Sequence, residues 1–307
     1  MSEYVWFDGI VRDADDVHIR PFTHALHYGT AVFEGIRAYD VDGAAAVFRL
    51  RDHLERLYRS ACVYGLEPRP TLDDLADAIF ATLDANAYVD GYIRPLVFFG
   101  EKGISLTPRL FCPTHVLIAL RPLRGSLIGN DPDGCRVTIS PWRKTPSISM
   151  PSTVKGSGHY VNSVLALQEA QGRGFDEAIL LNDRGDVAEG TGENVFVVKN
   201  GVLRTNDISA DVLGGITRLT AIELARDLGI PVEIEDITVE QLLTADEVFF
   251  TGTAAEIMPI AAIDDVALPA HKPIAKRLRA AYTHATRGQD RAHRDWLTHR
   301  TATAAVA

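Results

Sequence analysis

The chain has 307 residues, of which 46% are hydrophobic and 23% charged, close to the average for globular proteins. This length allows one large domain or two smaller ones, and the composition excludes a chain that is mostly disordered or fibrous. The net charge of −10 argues against general nucleic-acid binding, which needs a basic surface. We expect no membrane span, because no apolar stretch approaches roughly 18 residues, and no signal peptide.

The cysteines are Cys62, Cys112 and Cys135, and their spacings fit neither a zinc site nor a disulfide framework. They indicate free thiols in a reducing cytoplasm. The histidines form no HExxH motif, and the acidic run at residues 13–16 is typical of a solvated turn. The sequence therefore predicts no metal site.

The N-terminal part of the chain predicts a sheet with two helices. Asp8 and Gly9 form a turn pair between the first two strands. The predicted strands are residues 4–7, 10–11, 31–33, 45–48, 92–99 and 115–120, and the predicted helices are residues 50–63 and 71–86. Thr71 and Asp74 resemble a capping box at the start of the second helix, and apolar residues follow at helical spacing.

Turn-forming residues are dense around residues 125–134, which indicates a linker at residues 121–133 between two domains. The domains are then residues 1–120 and 134–307, with a frayed tail from about residue 301. The second domain predicts strands at 137–139, 178–181, 194–198 and 247–250, and helices at 159–171, at 217–229 and from Pro273. Strands and helices alternate irregularly, which favours the α+β class over a regular βαβ array.

Two segments of the second domain suit a cofactor that carries a carbonyl and a ring nitrogen. Residues 153–160 surround Lys155 with small neighbours, and burial would lower its pKa towards the value that imine formation requires. Residues 189–194 present Glu189 and Glu193 between glycines, and a carboxylate beside a pyridine nitrogen keeps that nitrogen protonated. The alternatives are a surface lysine in a glycine turn and a hairpin with solvated acids.

Two further segments suit an anion. Residues 213–218 open a helix with Thr217 as its cap, where backbone N–H groups can bind a phosphate. Residues 251–256 follow a strand and offer the hydroxyl groups of Thr251 and Thr253. An ordinary helix cap and a strand-to-loop turn are the alternatives. Taken together, the four segments fit pyridoxal phosphate.

These segments, with residues 23–29, 32–37, 53–57 and 92–95, resemble the fold-type IV pyridoxal phosphate enzymes over residues 4 to 297. Within that group the chain most resembles the class IV branched-chain amino acid aminotransferases. The resemblance implies two α+β domains, as in D-amino acid aminotransferase, with pyridoxal 5'-phosphate at their interface. It also implies reversible ping-pong amino transfer between leucine, isoleucine or valine and 2-oxoglutarate, by a cytoplasmic homodimer or larger oligomer.

The resemblance further implies a role for each matching residue. Lys155 would hold the cofactor covalently and act as the catalytic acid–base, while Tyr160 and Glu189 would contact the ring hydroxyl and the ring nitrogen. The phosphate would be bound by Arg56, Ile216, Thr217 and Thr253. The substrate would be contacted by Phe33, Gly35, Arg37, Tyr92, Arg94, Thr253 and Ala254, and by Tyr28 from the partner subunit.

One segment departs from the pattern of this family. Residues 121–128 contain no tryptophan or tyrosine, whereas many members have aromatic residues there that close the hydrophobic pocket. A wider pocket, or a basic one if Arg124 points inwards, would admit larger or acidic donors. A D-amino acid aminotransferase, an (R)-amine transaminase and an aminodeoxychorismate lyase would share Lys155 and Glu189. A non-catalytic ligand-binding homologue is disfavoured by the intact lysine.

Overall fold

A computed structural model describes residues 3–123 and 134–300 of the chain. Contacts between Cα atoms divide the chain into two units. The first comprises Met1–Arg124 and His284–Ala307, and the second comprises Gly125–Thr283. The predicted linker at residues 121–133 and the predicted frayed tail fall largely or wholly outside the described residues.

The first unit is built on one antiparallel sheet and two long helices. Its strands are β1 (Tyr4–Phe7), β2 (Ile10–Asp13), β3 (Ala31–Phe33), β4 (Ile36–Val41), β5 (Ala44–Phe48), β6 (Gly91–Phe99), β7 (Thr114–Arg121) and β17 (Leu297–His299), and its helices are α1 (His24–Tyr28), α2 (Leu50–Tyr64) and α3 (Leu72–Ala85). The strand order is β17-β5-β4-β6-β7-β1-β2, with β3 also paired to β6.

Local sequence explains the predicted elements of this unit. Asp8 and Gly9 both have positive φ at the β1–β2 turn, as the turn pair requires. Leu50, Leu54 and Leu57 repeat at helical spacing and are buried along α2. The capping box is confirmed, because the Thr71 side chain and the Asp74 side chain each bond the other residue's backbone at the start of α3. Helix α1 was not predicted, since five residues are too few to show a period.

The C-terminal segment differs from the predicted domain division. The sequence groups residues 134–307 in one domain, whereas the segment from His284 belongs to the first unit. Strand β17 pairs antiparallel with β5, and the ring of Trp296 packs edge-on against Phe48 at 5.9 Å between centroids. Pairing between strands so distant in sequence leaves no local signal, so the sequence could not predict it.

The second unit contains the remaining strands and helices. Its strands are β8 (Cys135–Arg143), β9 (Glu177–Leu181), β10 (Val187–Gly190), β11 (Asn194–Lys199), β12 (Val202–Thr205), β13 (Val232–Ile234), β14 (Glu247–Gly252), β15 (Glu256–Ile263) and β16 (Val266–Ala267), and its helices are α4 (Tyr160–Gly172), α5 (Ile216–Asp227) and α6 (Val239–Leu243). Helix α7 (Pro273–Thr286) begins in this unit and ends after the unit boundary.

Six strands of the second unit close into a ring, in the order β10-β9-β8-β15-β14-β11 and back to β10. Alternate residues of these strands form one buried apolar cluster, which includes Val195, Val197 and Phe250. On the opposite face of β9, Ala178 and Leu180 pack against α4. Within the described residues, no helix is long and apolar enough to cross a membrane.

Candidate active site

A buried ion cluster lies between β3 and α2 in the first unit. Glu34 follows β3 and has no solvent exposure. Its two carboxylate oxygens accept hydrogen bonds from Arg56 Nε and Nη2 at 2.7 and 2.9 Å, and His53 Nδ1 lies 2.7 Å from Oε2. Burial alone would raise the pKa of Glu34, but the charges of Arg56 and His53 hold it well below its usual range. Arg56, the predicted phosphate ligand, is therefore held by a carboxylate that the sequence did not single out.

Four of the predicted substrate-binding residues form one cluster in this unit. Arg94 Nη2 donates a hydrogen bond to the hydroxyl group of Tyr92 at 3.0 Å, and its guanidinium group stands 4.5 Å from the ring centroid of Phe33. A Cβ atom at Gly35 would lie 2.0 Å from the Tyr92 hydroxyl oxygen. Only glycine at this position allows the hydroxyl group to lie there. The structure thus brings together Phe33, Gly35, Tyr92 and Arg94.

The other two predicted substrate contacts of the first unit have different neighbours. Arg37 is buried, and its Nη2 donates hydrogen bonds to Asp90 Oδ1 at 3.3 Å and to the Leu123 carbonyl oxygen at 3.5 Å. Tyr28 is exposed at the end of α1 and donates a hydrogen bond to the Ile104 carbonyl oxygen at 2.8 Å. Of the segment that departs from the family pattern, Arg124 and residues 125–128 lie outside the described residues.

In the second unit, the amino group of Lys155 is hydrogen-bonded to a side-chain hydroxyl group. Its Nζ donates a hydrogen bond to the hydroxyl oxygen of Tyr160 at 2.6 Å. Tyr160 is the first residue of α4, and both side chains are half-buried. An amino group so close to a hydroxyl group has a partner for proton exchange, as acid–base chemistry at the amino group requires.

Glu189 is a buried carboxylate at the end of β10, and three groups bind it. Its Oε2 accepts hydrogen bonds from the Leu213 backbone N–H at 2.9 Å and from Asn194 Nδ2 at 3.2 Å. Its Oε1 accepts a hydrogen bond from Lys144 Nζ. The sequence predicted Glu189 but missed Lys144, which follows the end of β8 and belongs to no recognisable motif.

The second acid of this segment has a different environment. Glu193 Oε2 accepts a hydrogen bond from the Gly192 backbone N–H at 3.0 Å. Burial and then the charge of Glu177 raise the pKa of Glu193 well above its usual range. Glu193 therefore retains a proton more readily than an ordinary glutamate, whereas Glu189 has the cation Lys144 beside it.

The predicted anion-binding helix begins earlier than expected. Gly215, and not Thr217, is the N-cap of α5, and Ile216 and Thr217 are the first two helical residues. A Cβ atom at Gly215 would lie 1.9 Å from Asn194 Oδ1, so this close approach to the Glu189 segment requires glycine. The cap makes no side-chain hydrogen bond. The expectation of a threonine cap is wrong, but an N-terminus that lacks a side-chain cap still suits an anion.

The fourth segment forms the turn between β14 and β15. Thr253 and Ala254 are half-buried in this turn, and Thr251 lies opposite Asn194 in the β11–β14 register. The Thr251 hydroxyl oxygen is buried and has no hydrogen-bond partner within residues 3–123 and 134–300. The Glu189, Gly215 and Thr251 segments thus meet around Asn194.

Comparison with known proteins accounts for this set of residues. The family profile described as amino-transferase class IV matches residues 31–263. The chain belongs to the class IV aminotransferases. This confirms the resemblance seen in the sequence. Class IV aminotransferases use pyridoxal phosphate, and the gathered residues fit that group: an amino group beside a hydroxyl group, a buried carboxylate and an anion-suited helix N-terminus.

Individual class IV relatives match almost the full chain. The branched-chain-amino-acid aminotransferase of Escherichia coli strain K12 is 37% identical, over 96% of this chain and 97% of its own. The crystal structure of the Thermoproteus uzoniensis branched-chain aminotransferase with norvaline has a TM-score of 0.92 at 42% identity, covering 97% and 99% of the two chains. A second branched-chain amino acid aminotransferase, complexed with N-(5'-phosphopyridoxyl)-L-glutamate, has a TM-score of 0.93 at 39% identity, with the same coverage. The predicted fold-type IV architecture is therefore confirmed.

Proposed function

We propose that this class IV aminotransferase catalyses reversible amino transfer between branched-chain L-amino acids and 2-oxoglutarate, with pyridoxal 5'-phosphate as cofactor. The observation that carries the proposal is the Lys155–Tyr160 pair, in the same unit as the buried Glu189 carboxylate. The similar proteins named above support the substrate class, and the phosphopyridoxyl-glutamate complex of one of them supports glutamate as the second amino compound.

Residues of the second unit are assigned to the reactive part of the cofactor. When bound, pyridoxal phosphate supplies the carbonyl that accepts the amino group and a ring that delocalises the electrons released at Cα. Lys155 binds the cofactor covalently, and its Nζ moves a proton to and from the reacting carbon as general acid–base. The hydroxyl group of Tyr160 accepts a hydrogen bond from this amino group, and Tyr160 contacts the ring hydroxyl. Glu189 holds a proton on the ring nitrogen.

The phosphate is assigned to groups that suit an anion. The backbone N–H of Ile216, the N–H and hydroxyl groups of Thr217 and the hydroxyl group of Thr253 provide hydrogen bonds. Arg56 provides the charge, and Glu34 holds its guanidinium group in one orientation. These groups neutralise the phosphate and fix its position. The reacting carbon is therefore held within reach of the Lys155 amino group.

The substrate is assigned to the cluster of the first unit and to the β14–β15 turn. Tyr92 and Arg94, with the backbone N–H groups of Thr253 and Ala254, bind the carboxylate. Phe33 supplies an apolar wall for an aliphatic side chain, and Gly35 and Arg37 complete this pocket. An apolar pocket of this kind favours leucine, isoleucine and valine, because burying their side chains contributes about 25 cal/mol per Å².

We propose that the enzyme is a cytoplasmic homodimer in which Tyr28 contributes to the site of the partner subunit. Large apolar side chains of the first unit are exposed in the single chain, among them Leu26 in α1 and also Leu106 and Leu110, the last two at 81%. A second subunit that covered exposed apolar side chains would remove them from water. The three free cysteines are those of a protein kept in reducing conditions.

The test is a comparison of kcat/KM across amino donors with 2-oxoglutarate as acceptor. L-leucine, L-isoleucine and L-valine should exceed L-alanine, with about 1–3 kcal/mol for each missing methylene, or roughly 10–200-fold. Lys155→Ala serves as the inactive control. A preference for D-alanine over L-leucine would overturn the substrate assignment and favour a D-amino acid aminotransferase. An inactive wild-type enzyme that carries the cofactor would overturn the transamination itself.

A further inference from the structure

A second lysine of the second unit forms an ion pair with Glu189. Lys144 follows β8, and its backbone N–H donates a hydrogen bond to the Leu181 carbonyl oxygen at 2.8 Å. Its Nζ donates to Glu189 Oε1, and the side chains are 16% and 8% exposed. Charges so far from water persist only when they are paired. The pair therefore depends on both partners.

Lys144 completes the set of donors around one carboxylate. Glu189 Oε2 accepts hydrogen bonds from the Leu213 N–H and from Asn194 Nδ2, while Oε1 accepts one from Lys144. Asn194 Nδ2 also donates to the Leu213 carbonyl oxygen at 2.9 Å, which ties the two donors of Oε2 to each other. A carboxylate bound at both oxygens cannot rotate freely. Among its three donors, only Lys144 carries a charge.

The surroundings of Lys144 keep it protonated. Burial would lower the pKa of Lys144, but the charge and hydrogen bond of Glu189 outweigh it, and Tyr160 and Asp211 add to the effect, so the pKa is raised. On the other side, burial and then the charge of Lys144 lower the pKa of His159. Lys144 is thus a permanent cation at neutral pH, close to both the predicted nitrogen contact and the predicted hydroxyl contact of the cofactor.

We propose that Lys144 is a positioning residue for transamination: its ammonium group supplies the counter-charge of the Glu189 carboxylate and fixes its orientation, so that Glu189 holds a proton on the ring nitrogen. Lys144 acts through Glu189 and does not touch the reacting atoms. Without this counter-charge, the buried carboxylate is left unpaired and less firmly oriented, so it holds the proton on the ring nitrogen less well. This inference rests on the proposed function.

The first experiment follows the absorption spectrum of the bound cofactor during a pH titration of the holoenzyme, with no substrate present. In Lys144→Met the midpoint pH of the spectral transition should differ from that of the wild type. In Lys144→Arg, which keeps the charge, the midpoint pH should equal that of the wild type. Lys144→Gln, a second neutral variant, should behave like Lys144→Met and decides the matter if the methionine variant does not fold. Lys199→Met is the matched control, because Lys199 pairs with Asp246 on the surface of the same unit. A titration in which the neutral variants match the wild type overturns the inference.

The second experiment separates positioning from structural support. The rate constant of the half-reaction with L-leucine should fall on the order of 10–100-fold in Lys144→Met, by analogy with the loss seen when a group that orients a metal-binding side chain is removed. In a Glu189→Gln background the same substitution should cause no further loss, because Lys144 then has no carboxylate to act on. Equal losses in both backgrounds would overturn the inference. A wild-type enzyme that does not react with L-leucine contradicts the proposed function instead, and the substrate-free titration still tests Lys144.

Discussion

Glu34→Gln should destabilise the first unit strongly, because it removes the negative charge that faces Arg56 within a buried cluster. Glu34 has no exposure and Arg56 only 6%, and the carboxylate accepts two hydrogen bonds from the guanidinium group. Breaking a buried ion pair by removing one partner costs about 3–5 kcal/mol. The amide also places its NH2 group against an N–H donor of the Arg56 guanidinium group, whichever oxygen it replaces. We therefore expect the free energy of unfolding to fall by about that amount at pH 7.

Urea unfolding followed by tryptophan fluorescence measures this change in the first unit. Trp6 and Trp296 belong to that unit, so the half-exposed Trp142 of the second unit is replaced by phenylalanine in every variant. Glu55→Gln is the matched control on α2, because Glu55 pairs with Arg51 at the surface and such pairs contribute about 0.2–1 kcal/mol. A Glu34→Gln variant as stable as the control would show that the buried ion pair does not stabilise the first unit.

The pH dependence of the difference in unfolding free energy between wild type and Glu34→Gln provides a second test of the ion pair. The pKa of Glu34 is lower in the folded protein than in the unfolded chain, so the stability it contributes is present above the unfolded pKa of about 4. That contribution is lost as the pH falls from this value towards the lower folded pKa. The difference in the free energy of unfolding between wild type and Glu34→Gln should therefore be constant near neutrality and decrease below about pH 4. A difference that increases on acidification would contradict a lowered pKa of Glu34 in the folded protein.

The remaining predictions concern the cofactor and the assembly. Lys155→Ala should abolish transamination without unfolding the protein, and borohydride reduction of the wild-type holoenzyme followed by peptide mapping should label Lys155; a label on another lysine contradicts its role. Glu189→Gln should leave the cofactor bound but slow proton removal from Cα, measured with α-deuterated leucine, whereas Glu193→Gln should have a much smaller effect because Glu193 already tends to hold a proton. If Tyr28 serves the neighbouring site, sedimentation should show a dimer and a trapped monomer should be nearly inactive; a fully active monomer would rule this out.

Local chemistry allowed most secondary structure to be predicted. The capping box of Thr71 and Asp74 and the turn at Asp8 and Gly9 each depend on a few neighbouring residues, and the structure contains both. The closed ring of strands and the return of β17 to β5 depend on partners far away in the chain. No local pattern encodes such partners, so these features required the structure.

The same contrast applies to the candidate site. Lys155, Tyr160 and Glu189 belong to unusual segments rich in glycine, which is why the sequence revealed them. Glu34 and Lys144 act through contacts with residues 22 and 45 positions away, and no local pattern reveals those contacts. The sequence predicts Thr217 as the helix cap because threonine is a common one, whereas the structure has Gly215 there, at a close approach to Asn194 that requires glycine. Supporting residues are thus harder to predict than the residues they support.

In the proposed reaction, the enzyme takes an amino group from a branched-chain L-amino acid onto its cofactor before the second substrate binds. The most direct measurement mixes the holoenzyme with L-leucine in the absence of any 2-oxo acid and follows the cofactor spectrum and the released product. We expect conversion to the pyridoxamine form with one equivalent of 4-methyl-2-oxopentanoate per cofactor, and recovery of the original spectrum on adding 2-oxoglutarate. An unchanged spectrum with L-leucine, or conversion by D-leucine in place of L-leucine, would contradict the proposed reaction.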